Sequence, residues 1–176
     1  MRLFIAIPIP KQIISELADL KTSIQGARWS KTSNYHLTLQ FLGELSQDHF
    51  HQVLEGLEDI NMTSFSLRLN SVGLFGAADN PKVLYTAVEE NQDLLDLQSL
   101  VKEQVEQIIT LEKRKYIPHV TLARLKLASP QDIAHFKQQN HSFKSNLFKV
   151  TRFALYSSKL TAEGAIYTME KEYELY

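Results

Sequence analysis

Histidine recurs with threonine two residues on in two near-identical strings, His36-Leu37-Thr38-Leu39 and His119-Val120-Thr121-Leu122. They stand 119 − 36 = 83 positions apart in a chain of 176 residues, close to half its length. One such string arises easily by chance; two, in matching positions of the two halves and each inside an apolar alternating run, do not. Two imidazoles brought together supply a general base and a general acid, because an unperturbed pKa of about 6.5 lets each hold either protonation state near neutrality. Two threonine hydroxyls can donate hydrogen bonds to the non-bridging oxygens of a phosphate as charge develops there. These groups outline a phosphoester-cleaving site that needs no metal.

Strand periodicity supports the outline. Residues i and i+2 of a strand share a face. His36, Thr38 and Gln40 are then expected on one face, with Leu37, Leu39 and Phe41 on the other. In the second string His119 and Thr121 oppose Val120 and Leu122. Each string reads as a half-buried strand presenting an imidazole and a hydroxyl to a cleft. Strict alternation sets Arg124 opposite His119 and Thr121, so its guanidinium reaches the cleft only if the strand bulges or ends there.

The elements that must position these strands alternate along the chain. Arg2–Ile9 reads as a buried strand ended by prolines, and a helix is expected from about Lys11 to Ser23. The His36 strand closes at Gly43, and Ser46 can cap a helix reaching about Leu57. Phe65–Leu74 and Val83–Val88 read as strands around the turn-rich Gly76–Pro81. A long helix over about Asn91–Ile109 opens the second half, the His119 strand follows Pro118, and a helix begins near Ser129-Pro130. Phe148–Tyr156 and Ala165–Tyr173 read as closing strands. The repeated order suggests an internal pseudo-duplication within a single bilobal unit, residues 1–176. The expected class is α+β: two pseudo-symmetric lobes, antiparallel sheets with outer helices around a central cleft.

Composition narrows the partners. Hydrophobic residues make up 44% and charged residues 22%, as in ordinary globular proteins, and the net charge is −1. No global field recruits nucleic acid, so any RNA contact is local: a few phosphates or one chain end. The chain has no cysteine, which rules out disulfides, thiolate metal sites and cysteine nucleophiles and fits a reducing cytoplasm. No targeting signal or membrane-spanning run is visible, so a cytoplasmic monomer is expected. His49 and His51 are two apart on a helix, which is poor metal geometry, and His135 and His141 lie in polar surroundings.

With these residues in view, the chain resembles the 2H phosphoesterase superfamily and, within it, the RNA 2′,3′-cyclic phosphodiesterase (2′-5′ RNA ligase-like) family. The resemblance runs almost end to end. Its specific part is His36-Leu37-Thr38-Leu39-Gln40-Phe41-Leu42-Gly43 and Pro118-His119-Val120-Thr121-Leu122-Ala123-Arg124. Arg2–Ile7, Arg28-Trp29, Leu155–Ser158 and Gly164–Tyr167 support it. The resemblance implies hydrolysis of RNA 2′,3′-cyclic phosphate ends to 2′-phosphates without a cofactor or metal, with His36 as acid and His119 as base. The substrates would be RNA ends or small cyclic nucleotides. Gln40, Lys82 and Tyr85 depart from the family pattern, which more often has a basic residue, an arginine and a tryptophan there.

Thr38, Thr121 and Arg124 are the candidate phosphate ligands, Arg124 because a guanidinium can bond phosphate bidentately. Tyr116 and Tyr85 are the candidates for stacking a terminal base, whereas Phe4 and Phe41 are expected in the core. Three other readings use the same residues: 2′-5′ RNA ligation, a non-catalytic RNA- or nucleotide-binding module, and a metal hydrolase. The intact His–Thr pairs disfavour the second, and the lack of nearby carboxylate ligands disfavours the third.

Overall fold

A computed structural model describes residues 1–176. The first half runs β1 (Arg2–Pro8), α1 (Lys11–Asp19), β2 (Ala27–Trp29), β3 (His36–Glu44), α2 (Gln47–Gly56), β4 (Phe65–Leu67) and β5 (Leu69–Ala77). The second runs β6 (Asn80–Val88), α3 (Gln92–Glu106), β7 (His119–Leu125), α4 (Pro130–Asn140), β8 (Phe148–Val150), β9 (Arg152–Thr161) and β10 (Gly164–Glu174). The 83-residue offset of the two His strings extends through the fold. Ser46 and Ser129 share it, and each caps its helix by accepting a backbone N–H, from His49 and Asp132. The starts of β4 and β8, and of β5 and β9, are separated by the same offset.

Eight strands form one antiparallel sheet in the order β10-β9-β1-β3-β7-β6-β5, with β2 also paired to β7; β4 and β8 make a separate two-stranded sheet. The two half-sheets meet where β3 and β7 pair through one residue couple, Leu37 with Val120. All four helices lie over one sheet face. Ile13 and Leu17, Phe50 and Val53, Leu97 and Val101, and Ile133 and Phe136 join Leu3, Ile5, Leu37, Leu39, Val120 and Leu122 in one core cluster. The opposite face carries the histidines. No helix is long and apolar enough to cross a membrane.

Several boundaries differ from those the sequence suggests. The long closing strand breaks at Thr151 into β8 and β9, and β3 continues through Gly43 to Glu44. Gly43 adopts φ +75° beside a bulge in which Leu42 is skipped. The three residues of β2 carry no periodic signal; they are a strand because β7 offers them a free edge.

Gly26 is where β2 meets the turn after β7. Its φ is +80°, and a Cβ there would lie 2.4 Å from the Lys126 carbonyl oxygen and 2.8 Å from Ala128 Cα. Both neighbours are backbone and cannot swing aside. Gly26→Ala is therefore expected to destabilise the fold by about 1–3 kcal/mol, more than Ser46→Ala, for which a lost cap costs about 1 kcal/mol. Urea unfolding of both variants checks the order.

Candidate active site

His36 and His119 sit at the first residue of β3 and β7, beside the seam and on the face away from the helices. Each ring is held in the same way. His36 Nδ1 lies 2.7 Å from the Asn34 carbonyl oxygen, and His119 Nδ1 lies 2.7 Å from the Ile117 carbonyl oxygen. A carbonyl oxygen only accepts, so Nδ1 carries the proton in both rings. In the neutral ring Nε2 then holds the free lone pair, and neither Nε2 has a protein partner.

Aromatic side chains surround both imidazoles. Tyr167 meets His36 edge-on at 5.1 Å and Phe4 lies against it at 4.8 Å. Phe75 meets His119 edge-on at 4.7 Å and Tyr85 lies at 5.4 Å. Such apolar contact penalises the charged form. Burial lowers the His36 pKa to about 4, against the Asn34 carbonyl, which favours the cation; the positive charges of His119 and Arg124 lower it further. Burial also lowers the His119 pKa, opposed by the Ile117 carbonyl and assisted by Arg124. Both rings are thus biased toward neutrality in the free protein.

Paired bulges determine which other side chains share the site face. In β7, Tyr85 pairs with Thr121 and Leu84 with Ala123, so Leu122 is skipped. Leu122 and Ala123 are both buried, and Arg124 turns to the side of His119 and Thr121. In β3, Ala6 pairs with Thr38 and Ile5 with Gln40, so Leu39 is skipped at the equivalent place. Gln40, expected beside His36, instead faces α3 and lies 3.5 Å from the Gln98 amide. Phe41, expected in the core, turns to the site face opposite Phe4 and is 59% exposed. Phe41 and Arg124 occupy equivalent positions in the two halves. Phe4 is buried as expected, but against His36, Tyr156 and Tyr167 rather than in the helical core.

Thr38 and Thr121 lie one strand repeat beyond the histidines, half-buried on the same face. Tyr85 covers Gly73, where a Cβ would fall 2.5 Å from its ring, and stacks on Phe75 at 4.2 Å. Tyr116 donates its hydroxyl to the Thr38 carbonyl oxygen at 3.2 Å, and burial pushes its pKa up. Both tyrosines, singled out as stacking surfaces, are half-buried, and each already has a partner in the cleft wall. Lys82 bonds Asn80 at the β5–β6 hairpin tip. Arg28, directly across from Arg124 in the β2–β7 pairing, has its guanidinium beside Gly164 at the start of β10. The arrangement can flank a phosphate with two Nε2 atoms, offer it two hydroxyls and a cation, and present an open aromatic ring at one end.

The family model for LigT-like phosphoesterases matches residues 7–85 and 87–167. A protein of Aquifex aeolicus named RNA 2′,3′-cyclic phosphodiesterase is 30% identical over 92% of this chain and 87% of its own length. A Methanocaldococcus jannaschii protein of the same name is 27% identical over 98% and 100%. Among solved structures, TT0787 of Thermus thermophilus superposes with a TM-score of 0.85 at 24% identity, covering 99% of this chain and 97% of that one. The apo form of Escherichia coli LigT gives 0.81 at 25%, covering 99% and 96%.

The carbonyl contacts dictate a spectroscopic outcome. Nitrogen-15 NMR at pH 7 should find both rings neutral with the proton on Nδ1, and acid titration should protonate His36 only near pH 4. Because the folded pKa lies below the unfolded value of about 6.5, the unfolded chain binds more protons in that window. Stability should therefore fall as pH drops from about 6.5 to about 4, and a His36→Gln variant should lose part of that slope.

Proposed function

The chain belongs to the LigT-like phosphoesterase family, and on that basis we propose that it hydrolyses RNA 2′,3′-cyclic phosphate ends to 2′-phosphomonoesters by a metal-independent, two-histidine mechanism. The observation that carries this reading is the matched pair of imidazoles beside one seam, each with Nδ1 committed to a backbone carbonyl and Nε2 without a protein partner. No three His, Cys, Asp or Glu side chains cluster anywhere in the chain, so neither histidine has the carboxylate company typical of a catalytic metal.

In the proposed reaction the cyclic phosphate sits between the rings. His119 Nε2 takes a proton from water as the water oxygen bonds to phosphorus. The bond from phosphorus to O3′ breaks on the opposite side, and O3′ takes the proton from His36 Nε2. This opposed placement suits in-line displacement. Thr38 and Thr121 donate to the non-bridging oxygens, and Arg124 neutralises their charge. Phe41 provides the face on which the terminal base stacks, as its exposure beside the His36 side of the cleft suggests. The near-neutral chain has no long basic track, so recognition is confined to the RNA end or a small cyclic nucleotide.

The depressed pKa values give the mechanism a characteristic pH dependence. The working form holds one proton on the pair, and the free protein holds both rings near neutrality. An anionic phosphate between them favours the imidazolium and restores the missing proton. The optimum of kcat/KM should therefore fall below about pH 6.5, while the basic limb of kcat lies at higher pH.

Incubation of the protein with a 2′,3′-cyclic-phosphate oligonucleotide in EDTA, with the product mapped, tests the reading. A 2′-phosphate should accumulate at an undiminished rate; no turnover, or turnover restored only by zinc or manganese, rejects it. His36→Ala and His119→Ala should each lower kcat by roughly 10²–10⁴-fold. Thr38→Ala and Thr121→Ala should lower it by roughly 10–10³-fold. Arg124→Ala and Phe41→Ala should act mainly on KM, the former more at low salt.

A further inference from the structure

The cleft has a mechanical problem that the strand ladder does not solve. One histidine and one threonine belong to each half-sheet, and β3 and β7 share only the Leu37–Val120 pair. His36 is tied by pairing to Pro8 and His119 to Ala87, each within its own half. A single pair leaves the spacing of the two strands on the cleft side to contacts other than the ladder, while the apolar cluster holds them on the helical side.

Two side-chain hydroxyls tie the approach segment of one string to the strand of the other, Ser30 by continuing the β2–β7 pairing and Tyr116 by reaching β3. Tyr116, in the segment leading into the second His string, donates to the backbone carbonyl of Thr38 in the first, at 3.2 Å. Ser30, in the segment leading into the first string, donates to the backbone carbonyl of Thr121 in the second, at 3.3 Å. The Ser30 backbone N–H also donates to the Leu122 carbonyl at 2.8 Å. Each motif threonine thus has its carbonyl held by the approach segment of the other motif. The Tyr116 contact is buried enough to raise the phenol pKa, so water competes poorly for it. The next residue along that segment, Ile117, supplies the carbonyl that holds the second imidazole.

We propose that Tyr116 and Ser30 are positioning residues, a reciprocal pair of braces that set the distance between the two catalytic strands. The inference rests on the reading of this cleft as a phosphodiesterase site. Neither residue touches the reacting atoms; their hydroxyls act through the backbone of Thr38 and Thr121. An in-line displacement requires both Nε2 atoms and both hydroxyls to meet one phosphate, and a misplacement of about 1 Å in such a site costs about 10²-fold. Losing one brace relaxes the seam without emptying the cleft of any phosphate ligand. The loss therefore falls on kcat, while KM, governed by contacts that each half makes separately, changes little.

Single-turnover and steady-state kinetics on one 2′,3′-cyclic-phosphate oligonucleotide test this. Tyr116→Phe keeps the ring and removes only the hydroxyl. Ser30→Val and Ser30→Thr have the same shape and differ in the hydroxyl. Tyr116→Phe and Ser30→Val should each lower kcat by roughly 10-fold, with KM within about threefold of wild type, and Ser30→Thr should restore most of the loss. Since both braces span one seam, the double variant should lose less than the product of the single losses. Thermal unfolding run alongside should show that kcat falls at temperatures where every variant is fully folded. Wild-type kcat in Tyr116→Phe, equal kcat in Ser30→Val and Ser30→Thr, or a double variant that loses the full product overturns the proposal. An inactive wild-type protein would instead reject the phosphodiesterase reading, so the two failures are distinguishable.

Discussion

The candidate site depends throughout on the junction of β3 and β7. A continuous ladder between these strands would close the sheet and leave no room for a phosphate between the imidazoles. No ladder at all would leave the two halves without a fixed relation. A single pair, Leu37 with Val120, backed by the apolar cluster on the helical side, keeps the strands adjacent while letting them diverge. Divergence leaves backbone carbonyls without strand partners, and buried carbonyls need donors. The hydroxyls of Tyr116 and Ser30 meet that need at Thr38 and Thr121.

The chemistry of the imidazoles is governed by two opposed environments. Aromatic contacts on both sides exclude water and favour the neutral ring, whereas the Asn34 and Ile117 carbonyls favour the cation and fix the tautomer. Burial wins in both rings. The site therefore rests with two neutral imidazoles and a nearby guanidinium, an arrangement suited to receiving an anion. Substrate charge then supplies the electrostatic contribution that makes protonation of one ring favourable. The two rings are alike in geometry and unlike in burial, and the deeper burial of His36 opposes its protonation, so a proton on that ring depends on the charge of a bound phosphate.

Two bulges at equivalent positions supply the rest of the site. A regular strand would turn both Phe41 and Arg124 toward the helices, where a buried guanidinium without a partner would be costly. Skipping Leu39 and Leu122 moves the register by one residue, so that Phe41 and Arg124 come out on the cleft side. One half thereby gains an aromatic face and the other a cation, so a pseudo-symmetric scaffold can hold an asymmetric substrate.

The amino-acid sequence by itself determined the paired His–Thr strands, their separation, the order of helices and strands and the serine caps, because each rests on local periodicity or a local hydrogen bond. It also pointed to the histidines, rather than a metal cluster or a nucleophilic thiol, as the groups able to do chemistry. Tertiary structure alone decided that Gln40 leaves the site and Phe41 enters it, since a bulge is a one-residue offset against a partner strand and leaves no trace in a period of two. Arg124 was conditional on the same feature. The β2 strand, the packing of Tyr116 and Tyr85 into the cleft wall, and the depressed imidazole pKa values depend on groups distant in the chain. Tyr116 and Thr38 are 78 positions apart, and Ser30 and Thr121 are 91 apart. Contacts of that range exist only once both halves have folded onto the same seam, and no local pattern encodes the distance between them.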